Sequence, residues 1–274
     1  MAEHILIAGR EGVGKSTTAA NLAAALAESG HSVAMIGYDP RQRSTIALRG
    51  GSKLITVSED GAATGEPLFT IGYKHSLCIE AGELEDQTAS PLLASRLNAL
   101  IAHYNPRFVI HDLWQYPGSS FILPPVAHSA PRLLAVSTGD MASIETLNEL
   151  FAWMNNLESS DCRFAGVIIN NIKNKVHELM VNDFASRTGT SIIASFQSSM
   201  MVSMCDYLGE TLLEAAPNSH DSILYRILAK QIGNAEIAKR PTFFDETELE
   251  HWGRKWYETI SQMESGVVMD GSGI

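Results

Sequence analysis

The sequence predicts an α/β fold, a mostly parallel sheet with helices on both faces. Three observations predict it. Short apolar runs recur along the chain, each followed by a stretch with apolar residues at helical spacing, and strands alternating with helices assemble into parallel sheets. The runs are continuous rather than alternating, as in strands covered on both faces. The first of them, Ile5-Leu6-Ile7-Ala8, stops at a glycine-rich turn that opens directly into a helix.

The elements follow in order. Residues 5–8 read as a buried strand. Residues 15–28 are rich in Ala and Leu and read as a helix, which Gly30 ends from the C′ position. Residues 32–37 form a second strand that leads into the Asp39-Pro40 turn. Residues 49–68 are Gly-rich and polar and read as irregular. Residues 90–104 are amphipathic and helical, with Pro91 suited to the first turn. Residues 108–111 make a third strand ending at Asp112, and residues 133–136 a fourth. A helix is expected at 143–157. A fifth strand at 166–169 ends at Asn170-Asn171, a helix follows at 176–188, and a sixth strand spans 191–194. Two more helices fit near 219–232 and 245–262. The Gly-rich tail, 265–274, reads as disordered. With no internal repeat or linker, residues 1–264 are expected to form a single domain.

Composition narrows the function. The net charge is −11 and no basic cluster is present, which disfavours nucleic acid and anionic membrane surfaces as partners. No stretch approaches the ~20 apolar residues of a membrane span. The start, Met1-Ala2-Glu3-His4, lacks a secretory pattern, so a cytoplasmic location is expected. Cys78, Cys162 and Cys205 are widely spaced and read as reduced, buried thiols.

The motif with chemistry is Gly9-Arg10-Glu11-Gly12-Val13-Gly14-Lys15-Ser16. It has the pattern G-x-x-x-x-G-K-[S/T] between a strand and a helix, the context of a phosphate-binding loop. The fold class is therefore that of a P-loop NTPase, in its deviant Walker A form. Glycines let successive amides face phosphate oxygens, and the helix N-terminus adds its dipole. Lys15 is expected to reach the β- and γ-phosphates and Ser16 to ligate Mg²⁺. Residues 9–16, with Thr17, are the expected cofactor-binding set for ATP or ADP. Asp39, Asp112 and Asn170 each lie just past a strand's carboxyl end, where ligands of such sheets bind. Asp39 and Asp112 are candidate Mg²⁺ ligands with Ser16. Asn170 reads equally as a ligand residue or a turn former. Trp252, Trp256 and Tyr257 read as packing, and His111 as strand packing. Trp114 and Tyr116 suit either core filling or partner contact.

These residues resemble the nitrogenase iron protein family, which includes the electron donors of nitrogenase and of dark-operative protochlorophyllide reductase. The likeness runs over nearly the whole chain. Residues 9–26, Gly37-Tyr38-Asp39-Pro40 and Ser44-Thr45 are similar to the family's loop, first helix and first switch. Cys78-Ile79-Glu80-Ala81-Gly82 resembles the segment before its cluster loop. His111-Asp112 with Pro117-Gly118 resembles the second switch. Ser137-Thr138-Gly139-Asp140-Met141 and 166–170 match later strand ends. The resemblance implies a homodimer with two nucleotides near its interface, a [4Fe–4S] cluster shared between subunits, and adenine contact by Asn170.

The departures are specific. One cluster cysteine of the family falls in a stretch that here reads Glu83-Leu84-Glu85-Asp86-Gln87-Thr88-Ala89-Ser90, and the other falls at Ser119, followed by Ser120. A [4Fe–4S] cluster needs four thiolates, so no iron–sulfur cluster is expected. The family's signature lysine is Arg10, and two expected acidic residues are Arg43 and Tyr116. Lys15, Asp39 and Arg10 remain the candidate catalytic residues, with slow or absent hydrolysis expected. The leading expectation is a nucleotide-dependent homodimer that docks on, regulates or helps assemble a protein partner, a nitrogenase-like component among the candidates. The alternatives are an ATP-dependent reductase component with an unusual metal site, and a positioning or partition ATPase.

Overall fold

The computed structural model describes residues 2–57, 68–82, 91–114, 130–158, 161–234 and 239–265. Eight strands form one sheet in the order β3-β4-β2-β5-β1-β6-β7-β8. These are β1 (Glu3–Ala8), β2 (Val33–Gly37), β3 (Phe69–Ile71), β4 (Leu77–Glu80), β5 (Phe108–Asp112), β6 (Arg132–Ser137), β7 (Arg163–Ile172) and β8 (Ile192–Gln197). All pairings are parallel except that of edge strand β3 with β4.

The helices are α1 (Lys15–Glu28), α2 (Pro91–Tyr104), α3 (Met141–Asn155), α4 (Lys175–Arg187), α5 (Met200–Leu208), α6 (Leu212–Ala215), α7 (His220–Asn234) and α8 (Glu246–Glu264). Side chains alternate across a strand, and β1 shows how this makes two cores. Leu6 and Ala8 join residues of α2, α3, α4 and α8 on one face. Ile5 and Ile7 join residues of α1, α5, α6 and α7 on the other. The α/β class and the helices on both faces are thus as the sequence predicts.

Several expectations are corrected. β3 and β4 were not foreseen as strands, nor α5 and α6 as helices. β3 is three residues long with its flanking side chains exposed, so no apolar run marks it. β4 is a buried Leu-Cys-Ile run closed by a carboxylate, Glu80, and a buried charge conceals a strand from a hydrophobicity reading. Trp252 and Trp256 pack in the core and both donate to Asp183 Oδ2, at 2.7 and 3.1 Å. Tyr257 is exposed instead, on the outer side of α8. His111 is more than packing, since it bonds to the Tyr38 hydroxyl and to His4, each at 2.9 Å. Trp114 is half-buried, packed against the core, with the Arg41 guanidinium 5.2 Å over its ring. The tail beyond Ser265, residues 58–67, the stretch Glu83–Ser90 and the segment with Tyr116, Pro117, Gly118, Ser119 and Ser120 lie outside the described residues.

Candidate nucleotide-binding site

The site is built where β1 gives way to α1. Gly9, Gly12 and Gly14 all adopt positive φ, at 150°, 83° and 90°. At Gly9 a Cβ would strike the Val136 carbonyl, and at Gly14 it would strike the Asn170 amide. These two glycines therefore bring the loop against the ends of β6 and β7. α1 begins at Gly14 with no side-chain cap and no acidic residue in its first turn. Asp140 on α3, Asn174 on α4, Thr211 on α6 and Asp245 on α8 cap their helices with a side chain, whereas α5, like α1, has none. The first amides of α1 are left for an anion, which is what an uncapped N-terminus offers.

Lys15 lies folded into this loop. It is buried, and its ammonium donates to the Arg10 carbonyl at 3.1 Å. Burial lowers its pKa, while Asp112 and Glu11 oppose the shift. A desolvated ammonium held against one carbonyl is ready to exchange that contact for a phosphate oxygen. Val13 is held from the other side, where Asn170 Nδ2 donates to its carbonyl at 2.8 Å. Asn170 therefore braces the loop while still lining the cavity beside it. Thr17 donates to Asp206 Oδ2 at 3.0 Å, tying α1 to α5.

Two cavities flank the loop. One, of about 230 Å³, is bounded by Gly12, Gly14, Asn170, Gln197, Asp206 and Tyr225. It has the amide and aromatic groups that a nucleobase and sugar would meet. The other, of about 240 Å³, is bounded by Ser16, Thr17, Asp39, Arg43, Ser44 and Asp206. Asp39 and Asp112 close the ends of β2 and β5 and are both buried. Asp39 Oδ1 accepts from the Arg41 amide at 2.8 Å. Burial raises the pKa of Asp112, opposed by the hydroxyls of Ser16 and Ser44 and by Lys15. Its Oδ1 is buried without a hydrogen-bond partner among the described residues. Hard oxygen donors of this kind, some unpaired, fit Mg²⁺.

The other candidates fall around this centre. Arg10 is half-exposed at the rim, 3.8 Å from Asp140 Oδ1. An exposed pair of this length holds it weakly. Glu11 is exposed on the same turn. Gln197, Asp206 and Tyr225 were not singled out in the sequence. Only the short run after Ser198-Ser199, at helical spacing, could have signalled the helix that carries Asp206.

The comparisons agree with this architecture. Residues 3–259 match the family model described as 4Fe-4S iron sulfur cluster binding proteins, NifH/frxC family. Nitrogenase iron protein of Methanospirillum hungatei is 31% identical, over 94% of this chain and 97% of its own. Nitrogenase iron protein 2 of Paenibacillus durus is 28% identical, over 97% and 96%. Among solved structures, the MinC:MinD cell division protein complex of Aquifex aeolicus superposes with a TM-score of 0.68 at 19% identity, covering 88% of this chain and 100% of that one. That likeness is one of fold, and the family follows from the sequence match: the chain belongs to the NifH/frxC family.

Proposed function

We propose that this protein is a nucleotide-operated homodimeric switch that works on a protein partner and carries no iron–sulfur cluster. The observation that carries the reading is the intact phosphate loop with Lys15 folded into it and the oxygens of Ser16, Asp39 and Asp112 gathered beside it. In this reading residues 1–264 are one nucleotide-binding domain. Gly9 to Thr17 cradle the phosphates of ATP or ADP, Lys15 neutralises their charge, and Asn170 faces the base. Ser16, Asp39 and Asp112 would hold Mg²⁺, directly or through its waters, and the ion would supply charge neutralisation between the phosphates.

The residues do not fit a shared [4Fe–4S] cluster. Such a cluster needs four thiolates, and one shared between subunits needs them at the surface. Cys78, Cys162 and Cys205 are all buried, on β4, just before β7 and on α5. Burial pushes Cys78 and Cys162 up to about 12 and raises Cys205 as well. They favour the thiol form that does not bind metal.

The dimer reading is supported by α5. Val202, Ser203 and Asp206 line the first cavity. The same helix exposes Met200, Met201, Met204, Tyr207 and Leu208. Large apolar side chains clustered beside a ligand cavity mark a contact surface, and we assign it to a second copy of the chain. Arg10, weakly held, then faces the second copy's nucleotide, as an arginine acting in trans. A ligand shifts such an equilibrium only through contacts that differ between its states. Arg10 with the γ-phosphate is one such contact.

Solution scattering tests this. The dimer should be more compact with a non-hydrolysable ATP analogue than with ADP, and Arg10→Ala should remove the difference. A protein that stays monomeric with both nucleotides would rule the switch out.

A further inference from the structure

Three buried polar rings lie across the strands that feed the site and have no role in it so far. Tyr38 follows β2, His111 is on β5 and His4 is on β1, and these strands are neighbours in the sheet. All three rings are buried. Alternation puts His4 with Leu6, and His111 with Val109, on the face covered by α2, α3, α4 and α8, and Tyr38 joins that core. The Tyr38 and His111 rings stack with centroids 5.9 Å apart, and the His111 and His4 rings at 5.2 Å. Tyr38 Oη lies 2.9 Å from His111 Nδ1, and His111 Nε2 lies 2.9 Å from His4 Nδ1.

The partners fix where the protons sit. The Tyr38 hydroxyl has no second hydrogen-bond partner among the described residues. Were it to accept from His111, its own proton would be buried unpaired, at the full cost of desolvation. It therefore donates to Nδ1. An imidazole that accepts at one nitrogen carries its proton on the other. His111 thus donates from Nε2 to His4 Nδ1. Both bonds are made with one direction of donation and an uncharged His111.

The place of this ladder gives it a use. Ile36 pairs with His111 and Gly37 with Asp112, where the β2–β5 register ends. The Tyr38 amide adds one more bond, to the Asp112 carbonyl at 3.2 Å. Asp39 follows directly, at the start of the turn. Tyr38 is thus the last anchored residue before one candidate Mg²⁺ ligand, and His111 immediately precedes the other. Packing alone would be served by Phe and Leu at these positions. The polar rings add a directional link between the two strand ends. Mg²⁺ demands near-ideal octahedral geometry, so the spacing of its oxygen donors has to be held. We infer that Tyr38 and His111 are positioning residues of the nucleotide site: the Tyr38–His111 hydrogen bond, braced by His4, fixes Asp39 against Asp112 for the metal. The inference rests on the reading of those two carboxylates as part of a Mg-nucleotide site.

Two readouts on the full-length chain test it. The first needs no nucleotide. Two-bond proton–nitrogen correlation spectra of histidine-labelled protein should show His111 protonated on Nε2 alone. Tyr38→Phe should move its Nδ1 signal to that of a nitrogen accepting no bond. The second compares affinity for Mg-ATP with affinity for ATP in EDTA. Tyr38→Phe should lower the ratio of the two about tenfold, and His111→Leu likewise. His111→Asn, which keeps an acceptor near the place of Nδ1, should recover most of it. A role in folding alone would weaken both affinities together and leave the ratio as in wild type. If wild type binds no Mg-nucleotide, the proposed function fails and the positioning role with it, while the nitrogen signals still judge the ladder. A proton on His111 Nδ1, or an unchanged ratio in Tyr38→Phe, would overturn the inference even where Mg-ATP binds well.

Discussion

The phosphate-loop end of the sheet and the surroundings of the three cysteines treat their polar groups in opposite ways. At the loop, the chain keeps groups that the fold alone does not need. Lys15 is buried against a single carbonyl, α1 starts without a cap, and Asp112 carries an oxygen with no partner among the described residues. Each adds to the cost of folding, and each is suited to an incoming anion or cation. Around Cys78, Cys162 and Cys205, by contrast, the thiols are packed into the two cores as small apolar groups. In the proposed reading, this member of the family keeps its chemistry at the nucleotide half, and its buried thiols serve packing.

The sharpest way to break that contrast is iron. After anaerobic purification and reconstitution with iron and sulfide, the protein should hold less than about one iron per dimer, because its ligand set is incomplete. Four irons per dimer, lost in Cys78→Ser, would show that the thiols are not merely structural.

A smaller effect concerns turnover. Arg43 borders the cavity with Ser16 and Asp39, where the family resemblance implies an acidic residue. Basal hydrolysis should fall well below the ~1–100 s⁻¹ common for phosphoryl-transfer enzymes. Arg43→Asp should raise it about tenfold by restoring a group that can orient water. A brisk wild-type rate that Arg43→Asp leaves unchanged would mean that this position does not limit hydrolysis.

The loop was legible because its signal is local. Strand, glycines, Lys15 and helix follow one another within the first 28 residues, and backbone geometry ties them to one function. Asp39, Asp112 and Asn170 were legible through topology, since Asp39 follows β2, Asp112 ends β5 and Asn170 lies two residues before the end of β7, and the parallel sheet brings these carboxyl ends to one side. Asp206 was not. Asp206 meets Thr17 across 189 positions of sequence, which no local pattern encodes. The exposed face of α5 was missed for a related reason. Its methionines are apolar in sequence, and only the fold shows them turned away from the core.

Calorimetric titration of the purified chain with Mg-ATP and Mg-ADP tests whether the loop end binds nucleotide. Both should give saturable binding. Lys15→Ala should weaken it about ten- to a hundredfold, the loss of a charge-assisted bond to phosphate. No heat and no thermal shift at millimolar nucleotide, or a Lys15→Ala protein that binds as wild type does, would contradict the account.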